Sequence, residues 1–194
     1  PKTPKPRAPA LIINKDSREM VQAQGEKKAN ILLIGDSAVG KTQLTKVYSG
    51  EEFKEVSQAT LGMDFIQRDV NPRSNPDDKY KLFIWDTAGQ ERFRSLAMSF
   101  YKQSQGMMIC FDLTRRNTFN AVRRWVVNVN TNCEKGIPIL LIGNKCDLNE
   151  DRQISKEEAE QMATENNVTY FECSAKSSFN VAEAFEEMID LIYK

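Results

Sequence analysis

The chain has 194 residues, a length that suits one folded domain with flanking segments. Its 27 basic and 27 acidic residues cancel, so the net charge gives no sign of a nucleic acid or an anionic membrane as a partner. The sequence has no histidine, which excludes Ser-His and Cys-His nucleophilic catalysis, and no C-x-x-C pair that would indicate a zinc site. The four cysteines are predicted to be reduced thiols, and the apolar stretches are too short to span a bilayer, which together predicts a cytosolic protein.

Residues 1–28 differ in composition from the rest of the chain. They begin PKTPKPRAP, with four prolines in nine positions, and contain seven Lys or Arg against three Asp or Glu. Such a segment, with little periodicity, predicts a disordered or extended lead-in to a folded domain at residues 29–194. A flexible linker is the simplest interpretation, and a polyproline ligand for an SH3-type domain is the alternative.

From Asn30 onward, short aliphatic runs alternate with stretches of helical periodicity. The runs ILLIG, KLFIWD, GMMICFDL, IPILLIGN and VTYFECS are typical of strands that are buried on both faces. Their alternation with helices predicts β-α-β units around a mainly parallel sheet. Pro72 and Pro76 break the strand pattern and predict a turn, so we expect one antiparallel hairpin from about Gly62 to Asp86.

The stretch GDSAVGKT follows the first apolar run and fits the pattern G-x-x-x-x-G-K-[ST], with Gly35, Gly40, Lys41 and Thr42 at the fixed positions. Glycines let such a loop turn several backbone N–H groups toward a phosphate, and a helix predicted at about residues 41–48 adds its free N-terminal amides. Lys41 would bring positive charge to the outer phosphates and the Thr42 hydroxyl would bind Mg²⁺. A plain strand-to-helix turn is the alternative. The predicted phosphate-binding residues are Asp36, Ser37, Ala38, Val39, Gly40, Lys41, Thr42 and Gln43.

Two later stretches complete the predicted phosphate site. Thr60, in the loop before the hairpin, is a candidate to bind Mg²⁺ through its hydroxyl and to sense a γ-phosphate. Asp86 opens DTAGQE at the end of a predicted buried strand, where a carboxylate is costly unless it meets a cation or water, so it is predicted to belong to the Mg²⁺ site. Gly89 would let the backbone approach the terminal phosphate, and Gln90 would orient an attacking water.

The stretch NKCD also follows a predicted strand, at the edge where open α/β sheets bind ligands. Asp147 could accept hydrogen bonds from N1–H and the N2 amine of guanine, whereas adenine would leave its carboxylate unpaired. The stem of Lys145 could lie along the base, and the stretch SAK at 174–176 would bring a backbone amide to guanine O6. The predicted base-binding residues are Asn144, Lys145, Asp147, Ser174, Ala175 and Lys176.

Two helices near the end of the chain have recognisable start signals. Ser155 and Glu158 form a capping-box pattern ahead of a helix to about residue 165. Asn180 is predicted to cap the last helix, whose apolar residues recur with i, i+3, i+4 spacing and are expected to face the core. Those residues are Val181, Ala184, Phe185, Met188, Ile189 and Ile192.

Taken in order, GDSAVGKT, Thr60, WDTAGQE, NKCD and SAK resemble the motifs of the Ras-like small GTPases over about residues 29–194. Within that superfamily, TLGMDF, KLFIWDTAGQERF and FRSLAMSFYK are most similar to the Rab family. The resemblance implies a P-loop NTPase fold: a three-layer α/β sandwich with a six-stranded, mostly parallel sheet, one antiparallel edge strand and about five helices. It also implies a Mg²⁺-dependent molecular switch that binds GTP and GDP and regulates vesicle trafficking.

The resemblance further implies two switch regions, at about Phe53–Met63 and Ala88–Tyr101, where an exchange factor, a GAP and effectors would bind a monomeric protein. Phe53 matches the aromatic residue that covers the guanine edge in relatives, and Gln90 matches the glutamine that positions water. These roles are carried over from the family pattern and remain expectations.

An aromatic patch is also implied by the resemblance. Phe65, Trp85 and either Phe100 or Tyr101 match a hydrophobic surface that effectors of Rab proteins contact. The run FYKQSQG and the long turn NPRSNPDDK depart from the usual family pattern, so the resemblance does not identify the effectors.

The predicted activity is slow hydrolysis of GTP, with Lys41 and Mg²⁺ offsetting charge on the phosphate oxygens and Gln90 aligning water. By the Ras precedent the intrinsic rate is on the order of 10⁻⁴ to 10⁻³ per second, and a GAP would raise it. One alternative is a non-hydrolysing GTP-binding scaffold within a larger protein; another, an ATP-dependent kinase, is disfavoured by NKCD. The chain ends at Lys194 without a prenylation cysteine, so we expect contact with the cytosolic face of an intracellular membrane only through a lipidated tail or another region outside this chain.

Overall fold

The computed structural model describes residues 27–55, 60, 63–87 and 99–194. The predictions for the lead-in up to residue 26, for Gly89 and Gln90, and for most of the two switch regions lie outside these ranges. Six β-strands are described: β1 Lys28–Ile34, β2 Met63–Val70, β3 Tyr80–Thr87, β4 Gly106–Asp112, β5 Ile139–Asn144 and β6 Thr169–Cys173. The complete α-helices within them are α1 Lys41–Tyr48, α2 Arg116–Asn120, α3 Val122–Asn132, α4 Lys156–Glu165 and α5 Val181–Ile192, with a 3₁₀ turn at Asn149–Asp151.

The six strands form one sheet in the order β2-β3-β1-β4-β5-β6. Every neighbouring pair is parallel except β2 and β3, which are antiparallel. This confirms the predicted six-stranded sheet with one antiparallel edge strand. The pairing of Asp112 with Asn144, and of Asn144 with Cys173, places the carboxyl ends of β4, β5 and β6 side by side.

The sheet is covered on both faces, as the near-continuous apolar runs predict. Ile31 and Leu33 of β1 point into one buried cluster with α1 and α5, whereas Leu32 and Ile34 point into a second cluster with α3 and α4. This alternation follows from the two-residue period of a strand. Each such buried side chain contributes about 1.5–3 kcal/mol relative to an exposed one. Because both faces of the sheet are apolar, helices cover each of them, and this gives the three-layer arrangement.

The β2–β3 hairpin is confirmed, and its turn is fastened to the last helix. The amide of Asn71 donates to the carbonyl oxygens of Pro76 and Asp78 at 2.8 and 3.1 Å, which closes the turn on itself. The backbone N–H of Arg73 donates to Asp190 Oδ1 at 2.8 Å, and the Arg73 guanidinium contacts the Glu186 carboxylate. Asp190 and Glu186 both lie on α5.

Of the two predicted helix caps, one is confirmed and one is wrong. The Ser155 hydroxyl accepts a hydrogen bond from Glu158 N at 3.2 Å, while the Glu158 carboxylate contacts Arg116. Asn180 precedes α5, but it has φ 54 and its side chain makes no cap; the amide instead donates to the carbonyl oxygen of Glu172 at 3.0 Å. A left-handed backbone, which Asn tolerates, turns this side chain toward β6. Within the described ranges, no helix has the length and apolar character that crossing a bilayer requires.

Candidate nucleotide-binding site

The loop between β1 and α1 needs both of its glycines. Gly35 has φ +139, and a Cβ there would lie 2.1 Å from the carbonyl oxygen of Cys110 on β4. Gly40 has φ +98, and a Cβ there would lie 2.2 Å from Nδ2 of Asn144 on β5. Any side chain at either position would collide with a neighbouring strand, so the glycines let the loop lie directly against β4 and β5.

Lys41 lies inside this loop. Its ammonium group donates to the carbonyl oxygens of Gly35 and Asp36 at 2.9 and 3.0 Å, and the residue is only 4% exposed. Burial removes water from the ammonium and lowers its pKa, and the negative charge of Asp86 offsets this only in part. A buried cation in contact with carbonyl oxygens is well placed to bind an anion such as phosphate.

The helix predicted after the loop is confirmed as α1, which begins at Lys41 and ends at Tyr48. Gly40 precedes it, and no side chain caps its N-terminus. The first N–H groups of a helix have no partner within the helix, and the helix dipole makes them attractive to anions. The free N–H groups at the N-terminus of α1 and the ammonium group of Lys41 therefore lie close together and can bind the same anion.

Three oxygen-bearing side chains meet beside Lys41. The Thr42 hydroxyl lies 2.8 Å from the Thr60 hydroxyl and donates to Asp86 Oδ2 at 2.5 Å, and Thr60 Oγ1 lies 3.4 Å from the same carboxylate oxygen. Among the residues that the structure describes, Asp86 Oδ1 is buried without a hydrogen-bond partner. Burial raises the pKa of Asp86, which means that its charge lacks sufficient compensation from the protein. Hydroxyl and carboxylate oxygens are the ligands that Mg²⁺ prefers, so these residues fit the ion.

The NKCD and SAK stretches are joined to each other at the ends of β5 and β6. The Ser174 hydroxyl donates to Asp147 Oδ1 at 2.6 Å, and the backbone N–H of Ala175 lies 3.3 Å from Asn144 Oδ1. The amide of Asn144 also donates to the carbonyl oxygen of Val39 in the phosphate loop at 2.8 Å. Asn144 is 1% exposed, so it ties the three stretches together from within, while Lys176 and Asp147 face outward.

A buried carboxylate that the sequence analysis missed lies at the same edge. Asp112, at the end of β4, has a fully buried side chain that accepts hydrogen bonds from Thr114 N and Oγ1 at 2.9 and 2.7 Å. Its Oδ2 also accepts from Lys145 Nζ at 2.6 Å and from Arg115 Nε at 2.9 Å. Burial alone would raise the pKa of Asp112, but the hydrogen bonds from Lys145 and Thr114 outweigh it, so the pKa is lowered. The sequence contains a signal for this residue: in FDLT, an Asp ends a predicted buried strand, as Asp86 ends an earlier one.

Asp36, in the phosphate loop, is held in place by two side chains of α3. Its Oδ1 accepts hydrogen bonds from Trp125 Nε1 at 3.0 Å and from Arg124 at 3.3 Å. The carboxylate therefore anchors the loop to a helix. Neither Arg124 nor Trp125 stood out in the sequence, because Trp125 lies 89 positions from Asp36 and no local pattern connects them.

Gln43 and Phe53 have packing roles in the structure. Gln43 is 6% exposed, and its Oε1 accepts a hydrogen bond from Lys54 N at 3.0 Å, so it holds the segment that follows α1. Phe53 packs against the buried cluster beneath α1 and α5. The described contacts bring neither side chain to the NKCD or SAK stretches.

The aromatic patch is assembled as the resemblance implies. The rings of Phe65 and Trp85 lie 4.9 Å apart, and those of Trp85 and Phe100 lie 4.6 Å apart. Tyr101 is 4% exposed and belongs to the core, so Phe100 is the third member. The indole of Trp85 donates to Asn30 Oδ1 at 3.1 Å, which fixes the central ring.

Comparison with known proteins agrees with the fold. The model of the Ras family matches residues 30–194. Ras-related protein Rab-8B of Bos taurus is 41% identical over 155 residues, which cover 80% of this chain and 73% of that protein. Rab-13 of Bos taurus is 39% identical over 165 residues, 84% of this chain and 80% of its own, and RABA5b of Arabidopsis thaliana is 42% identical over 163 residues, 84% and 74%.

The chain belongs to the Ras family, and it is therefore a small GTPase with the P-loop fold. Its similarity to Rab proteins makes it a GTP-binding switch of the Rab type, the group that acts in vesicle trafficking. The resemblance seen in the sequence is confirmed, and so are the fold class and the GTPase assignment.

Proposed function

We propose that the loop at residues 35–42, the Thr42/Thr60/Asp86 group and the NKCD and SAK stretches hold one Mg²⁺·GTP molecule. The observation that carries the proposal is the convergence of a buried lysine, a helix N-terminus and three oxygen ligands at the same sheet edge as Asp147. The domain that does so spans residues 29–194, and residues 1–28 are a lead-in to it.

The phosphates lie against the backbone of residues 36–43. Lys41 binds the β- and γ-phosphate oxygens, because its ammonium is buried next to the N-terminus of α1. Thr42, Thr60 and Asp86 hold the magnesium site. When bound there, Mg²⁺ offsets charge that develops on the β- and γ-phosphate oxygens.

Guanine is selected by Asp147. The Ser174 hydroxyl donates to one carboxylate oxygen of Asp147, which orients the carboxylate toward the N1–H and N2 amine of the base. The stem of Lys145 lies along the base while its ammonium is held by Asp112. A backbone amide of the stretch Ser174 to Lys176 donates to O6, and Phe53 covers the edge of the base when the first switch closes.

Hydrolysis requires a water aligned with the γ-phosphate. Gln90 orients that water and Gly89 brings backbone to the γ-phosphate, both from the second switch. Thr60 and Gly89 hold the two switch regions through the γ-phosphate, and this arrangement is lost when the γ-phosphate leaves. By the Ras precedent, a GAP supplies further positive charge to the transition state, and the intrinsic rate without it is slow.

The partners follow from the switch mechanism. Effectors bind the Phe65/Trp85/Phe100 patch in the GTP state, and the exchange factor and the GAP bind at the two switch regions. The protein acts as a monomer on the cytosolic face of an intracellular membrane, brought there by a lipidated segment or by a partner.

Two measurements test the proposal. Fluorescent GDP should bind purified protein in the presence of Mg²⁺ and be displaced by unlabelled GTP but not by ATP. Single-turnover hydrolysis of bound GTP should be measurable over hours and should slow markedly in Gln90→Leu. Lack of guanine nucleotide binding would contradict the site, whereas tight binding without turnover, alone and with candidate GAPs, would favour the non-hydrolysing scaffold.

A further inference from the structure

Arg115, between β4 and α2, bridges two parts of the nucleotide site that are far apart in sequence. Its Nε donates to Asp112 Oδ2 at 2.9 Å, and its Nη2 donates to the carbonyl oxygen of Ser37 at 2.9 Å. One guanidinium group therefore joins the tip of the phosphate loop to the carboxylate that also holds Lys145. Nothing in the proposed chemistry above uses Arg115.

The Arg115 guanidinium is held firmly because its partner, Asp112, is itself held in place by burial and by other hydrogen bonds. The Asp112 side chain is fully buried, and Thr114 donates two hydrogen bonds to its Oδ1. The remaining oxygen, Oδ2, receives both cations. Bonds between a guanidinium and a carboxylate are stronger than neutral hydrogen bonds and have a set direction, so Arg115 can act as a strut.

The contact with Ser37 fixes a neighbouring amide. The carbonyl of Ser37 and the N–H of Ala38 belong to one planar trans peptide and point in opposite directions. Since Arg115 holds the carbonyl oxygen, it also holds the N–H of Ala38 on the opposite side of the loop. This part of the loop needs such support, because Ser37 and Ala38 are exposed and Ala38 has φ 60, a left-handed conformation that alanine disfavours.

The other carbonyl groups of the loop that contact side chains accept hydrogen bonds from residues already described as part of the nucleotide site. Lys41 holds those of Gly35 and Asp36, and Asn144 holds that of Val39. Arg115 supplies the contact that falls between them, at Ser37. With Arg115, the loop is supported on both sides of Ala38.

We propose that Arg115 is a positioning residue for nucleotide retention, which links the tip of the phosphate loop through Asp112 to Lys145 at the base. The inference rests on the proposed nucleotide site and adds to it a residue that touches neither phosphate nor base. Loss of the strut frees the Ser37 peptide and leaves Lys145 as the sole cation on Asp112. The freed peptide weakens the hold on the phosphates, and Lys145 is no longer connected through Asp112 to the phosphate loop.

The test is the rate at which fluorescent GDP leaves the protein in Mg²⁺ after excess unlabelled GDP is added. We expect Arg115→Ala to release the nucleotide about tenfold faster, the scale of one hydrogen bond to a charged group. Arg115→Lys keeps the positive charge on Asp112 but cannot span to Ser37, so its rate should lie between those of the wild type and the alanine variant.

The matched control is Arg116→Ala. Arg116 has a similarly exposed side chain, but its guanidinium contacts Glu158, the carbonyl oxygen of Gln153 and the Phe119 ring. The control should keep the wild-type release rate. The thermal midpoint of each nucleotide-free protein in EDTA separates general loosening of the fold from positioning, because only the latter changes release without a matching loss of stability.

Each result decides a different question. If the wild type binds no fluorescent GDP, the nucleotide site itself is wrong. If it binds and Arg115→Ala releases GDP at the wild-type rate, or if Arg116→Ala accelerates release equally, the positioning role is overturned. If Arg115→Ala does not fold, Arg115→Lys decides alone: release at the wild-type rate overturns the proposal, and faster release with an unchanged midpoint supports it.

Discussion

The nucleotide edge of the sheet and the opposite end of the molecule, where the β2–β3 turn meets α5, both contain ion pairs, but in different surroundings. At the nucleotide edge, Asp112 is 0% exposed and Asp86 3% exposed. At the turn, the side chains of Arg73 and Glu186 are 59% and 48% exposed. Buried charges depend on specific partners and are costly without them, whereas exposed pairs are screened by water and contribute little. The same residue types therefore form a buried cluster at the proposed nucleotide site and an exposed ion pair at the opposite end.

The largest effect is expected at the base end. Asp147→Ala removes both acceptors proposed for guanine and should weaken GDP binding about a thousandfold, since a hydrogen-bonding site discriminates strongly when its pairs are lost. Fluorescence titration measures the affinity. Asp151→Ala, in the nearby exposed 3₁₀ turn, is the control and should bind like the wild type. Equal GDP affinity in the two variants would show that Asp147 does not bind the base.

The second prediction concerns the collision at Gly40. Gly40→Ala places a methyl group against Asn144 in a left-handed backbone, and we expect about hundredfold faster GDP release because the phosphate loop is displaced. Gly136→Ala is the matched control, since Gly136 has φ +82 but no atom within 4 Å of the added Cβ. That variant should lose only about 1 kcal/mol of folding free energy, measured by urea unfolding, with unchanged release. If the two variants behave alike, strain rather than collision explains both.

A third change tests the magnesium group. Asp86→Asn removes the charge next to Thr42 and Thr60, and the Mg²⁺ concentration needed to slow GDP release should rise about 10- to 100-fold. Asp69→Asn, exposed on neighbouring β2, should leave the Mg²⁺ dependence unchanged. The titration is read from release rates at increasing Mg²⁺, and coincident curves for Asp86→Asn and the wild type would rule out the assignment.

The fourth prediction is a dependence on pH. Folding lowers the pKa of Asp112 below its unfolded value of about 3.9, so ionised Asp112 stabilises the fold above that pH. The stabilisation is lost as the pH falls through the lower folded pKa. The difference in unfolding free energy between the wild type and Asp112→Asn should thus be largest near pH 7 and narrow in acid. A difference in unfolding free energy that does not change with pH would mean that the charge of Asp112 does not contribute to stability.

The smallest effect is expected at the exposed ion pair between the hairpin and α5. Arg73→Ala removes exposed contacts with Glu186 and Asp190, and the release of GDP should stay at the wild-type rate. The thermal midpoint should fall only slightly, and less still at high salt because exposed pairs are screened. A change in release comparable to that of Gly40→Ala would show that the two ends of the molecule are coupled.

The parts of the site that the sequence predicted are those carried by short contiguous stretches. GDSAVGKT specifies its own loop because the glycines, the lysine and the helix start are adjacent, and α1 lies where it was predicted. The six-stranded, mostly parallel sheet and its antiparallel hairpin were also predicted, from local patterns and the family resemblance, whereas the order of the strands was not.

What the sequence could not show are contacts between residues far apart in the chain. Arg115 and Ser37 are 78 positions apart, and Asp36 and Trp125 are 89 apart. Each pair is brought together only when β1 and β4 become neighbours in the sheet. The cap predicted at Asn180 was wrong for a related reason: the carbonyl oxygen of Glu172 competes for its side chain. Local propensity does not record such competition.

The positions of the two tryptophans give the molecule built-in optical probes. Trp85 is the middle ring of the aromatic patch, and the indole of Trp125 donates to the carboxylate of Asp36 at the phosphate loop. Replacing either one with phenylalanine leaves a single tryptophan. Tryptophan fluorescence can then follow the aromatic patch and the phosphate loop separately, in real time and without an attached dye.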